Sequence, residues 1–300
     1  MQGFRARLKQ RQERVNSLLC VGLDPSLEKV PQSVLSAFGY MSYRDIHPND
    51  SEGMVAGSWM RSVVHKTAPY ASMFKLQSAH WEALRGGRAE LQSTIAYIYG
   101  QYPDIPVLED VKRGDIGRTQ EKYREAHFTL DWADGMNYNG YMGADTLEAL
   151  VDPDHLGRAL VGLGRTSNPS AWSVQDRLLA DGRRVWEASV QDILDWSTRF
   201  GVLENAGVVM GAAHKDPHNP DLIYSAHLVR AREIVGDKLW FLIPGIGTQG
   251  GFIGETVRAA YRGSGSIAIN VSSKISDSED PASEARNTRD DINEVLATLA

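Results

Sequence analysis

The sequence contains a single cysteine, Cys20, among its 300 residues. An intrachain disulfide is therefore excluded, and a zinc site built from several thiolates is not expected. Disulfide frameworks support many small secreted proteins, so a chain with one cysteine fits a cytoplasmic protein better.

Long apolar runs and an excess of positive charge are also missing. No stretch approaches the roughly 20 consecutive apolar residues that span a bilayer, and the formal net charge is −6 with a pI near 5.8. We therefore expect neither nucleic acid nor a membrane as a partner, although a local basic patch could still bind a small phosphorylated ligand. The N-terminal segment, about residues 1–16, predicts an amphipathic helix that leads into a buried strand, rather than a signal peptide.

What the sequence does contain is a repeated pattern of short apolar runs, each followed by polar or glycine-rich residues and a helical segment. Continuous apolar runs are typical of strands that are buried on both faces, as in parallel sheets. Eight runs predict strands, namely 18–24, 73–77, 106–112, 135–139, 159–166, 207–212, 239–245 and 266–272.

Helix-like segments lie between these runs, and this alternation predicts the fold class. Eight strand–helix repeats indicate an α/β fold of the (β/α)8 TIM-barrel type. A doubly wound open sheet is the alternative, but the first predicted strand ends in Gly-Leu-Asp-Pro and lacks the G-x-G-x-x-G pattern of dinucleotide-binding domains. The predicted helices are 80–99, 118–130, 186–200, 221–235 and 254–261.

We expect a single domain over residues 1–300, because no low-complexity segment or linker divides the chain. A polar insertion at about 40–57 predicts a surface excursion before the second strand. A charged segment at about 276–287 is expected to be exposed before a final helix at 290–299.

The most informative motif is DVKRGDI at residues 110–116. Side chains alternate along a strand, so Asp110 and Lys112 are expected on the same face with Val111 turned away. Asp115 follows just beyond the strand end. Charges are costly to bury unless they are paired, so two acids around one lysine indicate a functional site more than a folding core.

Other strand ends add to this motif. In a barrel, the carboxyl ends of all strands converge on one face, where the active site lies. The seventh predicted strand is followed by a glycine-rich segment, 245–251, whose backbone N–H groups and adjoining helix could bind phosphate. The strand ends are Asp24, Lys75, the DVKRGDI motif, Asn139, 166–168, 211–212, 244–251 and 270–274.

An acid-rich site could also hold a metal ion. His214 and His218 are four residues apart, but Pro217 between them argues against a helix that presents both. None of the eight histidines is expected to pair with a carboxylate as a metal ligand. The lysines also supply the positive charge that a metal would bring, so we expect chemistry without a metal or another cofactor.

Four stretches together resemble the orotidine 5'-phosphate decarboxylase family, in particular its longer bacterial branch. They are FKLQ at 74–77, DVKRGDIG at 110–117, RTSNP at 165–169 and PGIGTQGG at 244–251. The resemblance covers nearly the whole predicted barrel. It implies a homodimeric enzyme that converts orotidine 5'-phosphate to UMP without a cofactor.

The resemblance also implies a role for each matching residue. The implied network of alternating charges is Lys75, Asp110, Lys112 and Asp115. Lys112 would be the proton donor, and Asp115 would reach the neighbouring subunit's site together with Ile116 and Thr119. The residues implied to bind substrate are Asp24 for the ribose, Ser167 for the pyrimidine, and Gln249 with Gly250 of the glycine run for the phosphate.

Two positions depart from the family pattern. The family usually places a phosphate-binding arginine after the serine that follows the eighth strand, whereas this chain has Ser272-Ser273-Lys274. Either Lys274 substitutes as a point charge, without the two-pronged geometry of arginine, or phosphate is held more weakly. Asn139 stands where Asn-Pro-Tyr is expected, but Gly140 follows it, so Asn139 is given no role.

Two other functions fit parts of the pattern. A related barrel decarboxylase that acts on a keto-sugar phosphate shares the Asp-x-Lys-x-x-Asp arrangement but uses magnesium, and Ser167 and Gln249 favour the pyrimidine substrate over it. A catalytically weak nucleotide-binding protein would explain the missing arginine. However, a binding module has no need for four costly charges.

Overall fold

The computed structural model describes residues 2–215, 221–247 and 251–299. Within these ranges, eight parallel strands form a closed barrel, which confirms the predicted fold class. Each strand pairs with its neighbours in chain order, and the first strand also pairs with the last. The strands are β1 (Leu19–Gly22), β2 (Met73–Gln77), β3 (Val107–Arg113), β4 (Gly135–Tyr138), β5 (Ala159–Arg165), β6 (Gly207–Met210), β7 (Trp240–Ile243) and β8 (Ile267–Val271).

Helices surround the barrel and connect its strands. A π-helical turn, Glu125–Leu130, directly continues α6. No described helix is long and apolar enough to cross a bilayer. The α-helices are α1 (Phe4–Val15), α2 (Gln32–Ala37), α3 (Glu52–Thr67), α4 (Ser78–Glu82), α5 (Gly87–Gln101), α6 (Gly117–Arg124), α7 (Ala144–Glu148), α8 (Val185–Arg199), α9 (Ala226–Val235), α10 (Ile253–Ala260), α11 (Ser273–Ser276) and α12 (Pro281–Ala297).

Two apolar layers hold the barrel together and determine which end is open. One layer packs between the strands and the surrounding helices. A second cluster combines strand residues with the N-terminal helix, where Phe4 stacks on Trp240 with ring centroids 5.3 Å apart. Arg7 of α1 also pairs with Asp134, which precedes β4. Because α1 covers the amino-terminal ends of the strands, a site can open only at their carboxyl ends.

The C-terminal helix begins earlier than the sequence pattern predicts. The segment 276–287 is not an exposed linker throughout, because α12 already starts at Pro281. Asp280 accepts a hydrogen bond from Ser283 N at 3.1 Å, and proline fits the first helical turn. The sequence pattern did not predict the first turns of α12, because the buried residues of this helix, such as Ala285, are separated by charged residues.

The polar insertion at 40–57 also ends earlier than predicted. Ser51 Oγ accepts a hydrogen bond from Met54 N at 3.2 Å and caps α3, which begins at Glu52. Val55 and Ala56 are buried on this helix. The surface excursion is therefore confined to the residues before the cap.

Two other predicted helices differ in extent. The helix predicted at 80–99 is divided into α4 and α5 by a turn at Gly86, where φ is 72°. The helix predicted at 221–235 begins at Ala226, because Ile223–Tyr224 pairs with His214–Lys215 in an antiparallel hairpin. Pro217 and His218 lie outside the described residues. Neither difference alters the strand order of the barrel.

Candidate active site

A cavity of about 680 Å³ opens at the carboxyl ends of the barrel strands. Its volume lies within the range of small-molecule sites, about 300–1,000 Å³. Four lysines and three aspartates are among its described lining residues, so the cavity favours an anionic ligand. These charged residues are Asp24, Lys29, Lys75, Asp110, Lys112, Lys274 and Asp277.

Asp110 is the centre of a charged network in this cavity. Its Oδ2 lies 3.1 Å from Lys75 Nζ, and its Oδ1 lies 2.5 Å from Lys112 Nζ. Asn137 Nδ2 donates a further hydrogen bond to Oδ1 at 2.6 Å. Lys75 Nζ also lies 3.5 Å from Asp24 Oδ1, so acids and lysines alternate across the cavity.

These contacts keep both partners of the buried pair charged. Burial raises the pKa of the Asp110 carboxyl, but Lys75 and Lys112 lower it more strongly, so its pKa lies well below the ordinary value. Burial lowers the pKa of Lys75, yet Asp110 and Asp24 reverse this effect and its pKa is raised. The side chain of Lys112 is 44% exposed, so it is the member of the network that a ligand can reach most easily.

The third strand carries a bulge at the network. From residue 109 to 113 β3 advances four positions, while β4 advances two, from 136 to 138. Lys112 has a φ of 46°, which is unusual for a residue with a side chain. Asn137 Oδ1 accepts hydrogen bonds from Val111 N at 2.8 Å and Lys112 N at 2.7 Å. The Asn137 side chain thus bonds the backbone of the bulge, and simple alternation of side chains does not describe this segment.

Three predicted site residues lie outside the cavity, whereas six line it. Asp115, Ile116 and Thr119 are absent from the described lining, and Ile116 is 46% exposed. Within one chain, Asp24 rather than Asp115 pairs with Lys75. Gln249 and Gly250 lie outside the described residues. The predicted residues that line the cavity are Asp24, Lys75, Asp110, Lys112, Ser167 and Lys274.

Lys274 lines the cavity one residue after the position where the resemblance predicts an arginine. No arginine lines the cavity over residues 2–215, 221–247 and 251–299. A Cβ placed on Gly247 would lie 3.4 Å from Lys274 Cβ, so this lysine adjoins the start of the glycine-rich segment. Its Nζ also lies 3.3 Å from Glu284 Oε2 of α12. A bound phosphate would therefore share Lys274 with Glu284.

Several lining residues were missed by the sequence analysis. Asn137 is the most important, and its signal was a polar residue inside the apolar run Gly-Met-Asn-Tyr of β4. Gln77 ends β2, and its N–H donates to Asp24 Oδ1 at 3.1 Å. The turn residue Lys29 had no recognisable signal. The missed lining residues that carry polar side chains include Ser26, Lys29, Gln77, His80 and Asn137.

The sequence analysis expected no histidine to pair with a carboxylate as a metal ligand, and it did not find the pairing of His127 with two carboxylates. His127 Nδ1 lies 2.9 Å from Glu109 Oε2 and 3.3 Å from Asp131 Oδ2, in a buried cluster outside the cavity. One ligand atom from each residue can lie within 4.8 Å of the others, a geometry that could hold a metal ion. The spacing of residues in the sequence could not reveal this cluster, because residues 109 and 127 are brought together only when a helical turn packs against β3.

Comparison with known proteins gives a consistent result. The sequence model of the "Orotidine 5'-phosphate decarboxylase / HUMPS family" matches residues 17–288. The orotidine 5'-phosphate decarboxylase of Ralstonia nicotianae is 37% identical over 97% of this chain and 98% of its own. That of Cupriavidus necator is 36% identical over 97% of each chain. The solved structure of Leishmania donovani OMP decarboxylase has a TM-score of 0.75 and 28% identity, and the match covers 98% of both chains.

Proposed function

The chain belongs to the orotidine 5'-phosphate decarboxylase / HUMPS family, and on that premise we propose that it decarboxylates orotidine 5'-phosphate to UMP in pyrimidine biosynthesis. One observation carries the proposal: Asp110 lies between the ammonium groups of Lys75 and Lys112 at a cavity of suitable size for a nucleotide. The proposal includes a metal-free, cofactor-free reaction and a homodimer in the cytoplasm.

The chemistry requires a group that stabilises and then protonates a carbanion. When the carboxylate leaves as carbon dioxide, the electron pair of the broken bond stays on carbon 6 of the pyrimidine. The Lys112 ammonium stabilises this charge, donates a proton to carbon 6 and becomes an amine that solvent reprotonates. Lys75 and Asn137 keep Asp110 in place beside it.

Asp110 contributes by repulsion of the substrate carboxylate, which is relieved as carbon dioxide leaves. Two charges at ~4 Å in an effective dielectric of ~20 interact by about 4 kcal/mol. Enzymes commonly lower barriers by roughly 8–23 kcal/mol, so repulsion alone is insufficient. Binding energy from distant substrate groups must supply much of the remainder.

The other cavity residues are assigned to different parts of the substrate. We assign Asp24 to the ribose hydroxyls, because its carboxylate is fixed by Lys75 and the Gln77 N–H. Ser167 is assigned to the pyrimidine ring. The phosphate is assigned to Lys274 together with Gln249 and Gly250, since Lys274 adjoins the start of the glycine-rich segment.

Purified protein is expected to consume orotidine 5'-phosphate in the presence of EDTA. The lysines of the network already supply the positive charge, so removal of divalent cations should change the rate less than about twofold, well under 1 kcal/mol. The measurement is the loss of orotidylate absorbance with time. Activity that disappears in EDTA and returns with magnesium would instead favour the keto-sugar phosphate reaction.

Asp115, Ile116 and Thr119 are proposed to complete the site of a second subunit. They belong to the same segment as the reacting residues, yet they do not line their own cavity, and Ile116 and Thr119 are exposed. Asp115 Oδ1 accepts a hydrogen bond from its neighbour Ile116 N at 2.8 Å rather than from a described lysine. These observations support a site shared between two copies.

Two inactive variants are expected to restore activity when they form a mixed dimer. A dimer of one Lys112→Ala and one Asp115→Ala subunit contains one site with both groups intact. Co-expression with random pairing should therefore yield about a quarter of the wild-type activity in a symmetric dimer. Activity no higher than the sum of the two parent variants would contradict the shared site.

A further inference from the structure

A second charged cluster lies behind the reacting strand. It consists of Glu109, His127 and Asp131, whose side chains are no more than 1% exposed. None of the three lines the substrate cavity. Glu109 precedes Asp110 on β3, but its side chain points towards the surrounding helices, where Ser78 Oγ donates a hydrogen bond to its Oε1.

The cluster balances its own charge. Arg88 pairs with Asp131 Oδ2, and Gln92 Nε2 donates a hydrogen bond to Asp131 Oδ1 at 2.8 Å. Burial lowers the pKa of His127, but hydrogen bonds to Asp131 and Glu109 outweigh this effect and leave the pKa raised. Arg88 beside Asp131, and Arg113, whose Nε donates a hydrogen bond to His127 Nε2, supply two positive charges next to the two carboxylates.

The cluster contacts both ends of the bulge that carries Lys112. Glu109 is the last residue before the bulge, and Arg113 is the first after it. His127 Nδ1 lies against Glu109, while Arg113 Nε lies 3.4 Å from His127 Nε2. Arg113 is further fixed by Glu82 at 2.6 Å and by the Tyr123 ring, whose centroid is 4.9 Å from its guanidinium carbon.

We propose that the Glu109–His127–Asp131 cluster is a positioning device that holds the bulge of β3, so that Asp110 and Lys112 face the substrate correctly. Buried ionic groups rarely add stability over well-packed apolar ones, so the cluster needs another reason to exist. Lys112 has an unfavourable positive φ, which persists only if the residues around it are held in place. Asn137 bonds the bulge from the cavity side, and the cluster braces it from the helix side.

The test compares variants of His127 with a matched control at a residue that also contacts β3. His127→Ala removes the link, whereas His127→Asn keeps an amide donor near the position of Nδ1. The control is Asp134→Ala, because Asp134 is buried, is paired with Arg7 and accepts a hydrogen bond from Val107 N at the start of β3. Each variant is assayed for kcat, for affinity for UMP, for thermal unfolding, and for amide exchange at Val111 and Lys112.

His127→Ala is expected to lower kcat by about 10- to 100-fold, because small misplacements of reacting groups have effects of this size. Affinity for UMP should change less than about threefold, and the two amides should exchange at least about tenfold faster, since their bonds to Asn137 loosen. His127→Asn should recover most of the loss. Asp134→Ala should lower the unfolding temperature but leave kcat and both amides unchanged.

Two results would overturn the positioning role. One is unchanged amide exchange in His127→Ala, and the other is faster exchange without a loss of kcat. This inference rests on the proposed decarboxylation, but different measurements test the positioning role and the proposed function. If the unaltered protein does not consume orotidine 5'-phosphate, the function is wrong, while the exchange of the Val111 and Lys112 amides still decides whether the cluster holds the bulge.

Discussion

Replacement of Lys112 with alanine is expected to abolish turnover of orotidine 5'-phosphate while UMP still binds. A positioned general acid contributes about 10²- to 10⁴-fold, and one preorganised donor to a developing charge contributes about 10²- to 10³-fold. Because Lys112 would serve both purposes, we expect kcat to fall by at least ~10⁴-fold. The measurement is single-turnover loss of orotidylate absorbance, combined with calorimetric titration of UMP.

The structure indicates that Lys112→Ala will fold. Lys112 is partly exposed, and without it Asp110 keeps its contacts with Lys75 and Asn137. Lys112→Arg retains a cation whose pKa is too high for efficient proton transfer, so it should also be nearly inactive. Lys29→Ala is the matched control, because Lys29 lines the same cavity without a described ion pair to Asp110. Substantial turnover by Lys112→Ala would rule out Lys112 as the proton donor.

The barrel could be predicted from the sequence because its signal is local. A strand covered on both faces is expected to be apolar along its length, and the strands Gly207–Met210 and Trp240–Ile243 show this directly. Helix ends were less predictable. The start of α12 depends on the cap at Asp280 and on two buried positions seven residues apart, Ala285 and Ile292, which charged neighbours obscure.

The site was predictable where its residues lie at or near the carboxyl ends of predicted strands. Lys75 and Asp110 carry charge at positions that a core would not choose, so the sequence indicated them. Asn137 and His127 act through contacts made across the fold, the first from β4 to the bulge and the second from a helical turn to Glu109. Such contacts depend on the register between elements, which a single sequence does not reveal.

The second large effect is expected when the substrate lacks its phosphate. The nucleoside orotidine should lose rate as well as affinity, because binding energy from a distant group can be used to order the site and exclude water. We expect kcat/KM to fall on the order of 10³-fold, about 4 kcal/mol, with part of the loss in kcat. Steady-state kinetics with both substrates measure the division between kcat and KM.

Lys274→Ala provides the control for this comparison. Lys274 lies next to the start of the glycine-rich segment and away from the Asp110 contacts. Its loss should therefore lower kcat/KM for orotidine 5'-phosphate by about 10- to 100-fold, which is the effect expected from one charged hydrogen bond. For orotidine, the kcat/KM of Lys274→Ala should be nearly the same as that of the unaltered protein, because orotidine lacks the phosphate that Lys274 would bind. If orotidine retained the full kcat and lost only affinity, the phosphate would serve as an anchor alone. That result would contradict the use of phosphate binding energy to lower the barrier, which would then depend entirely on the charged network around Asp110.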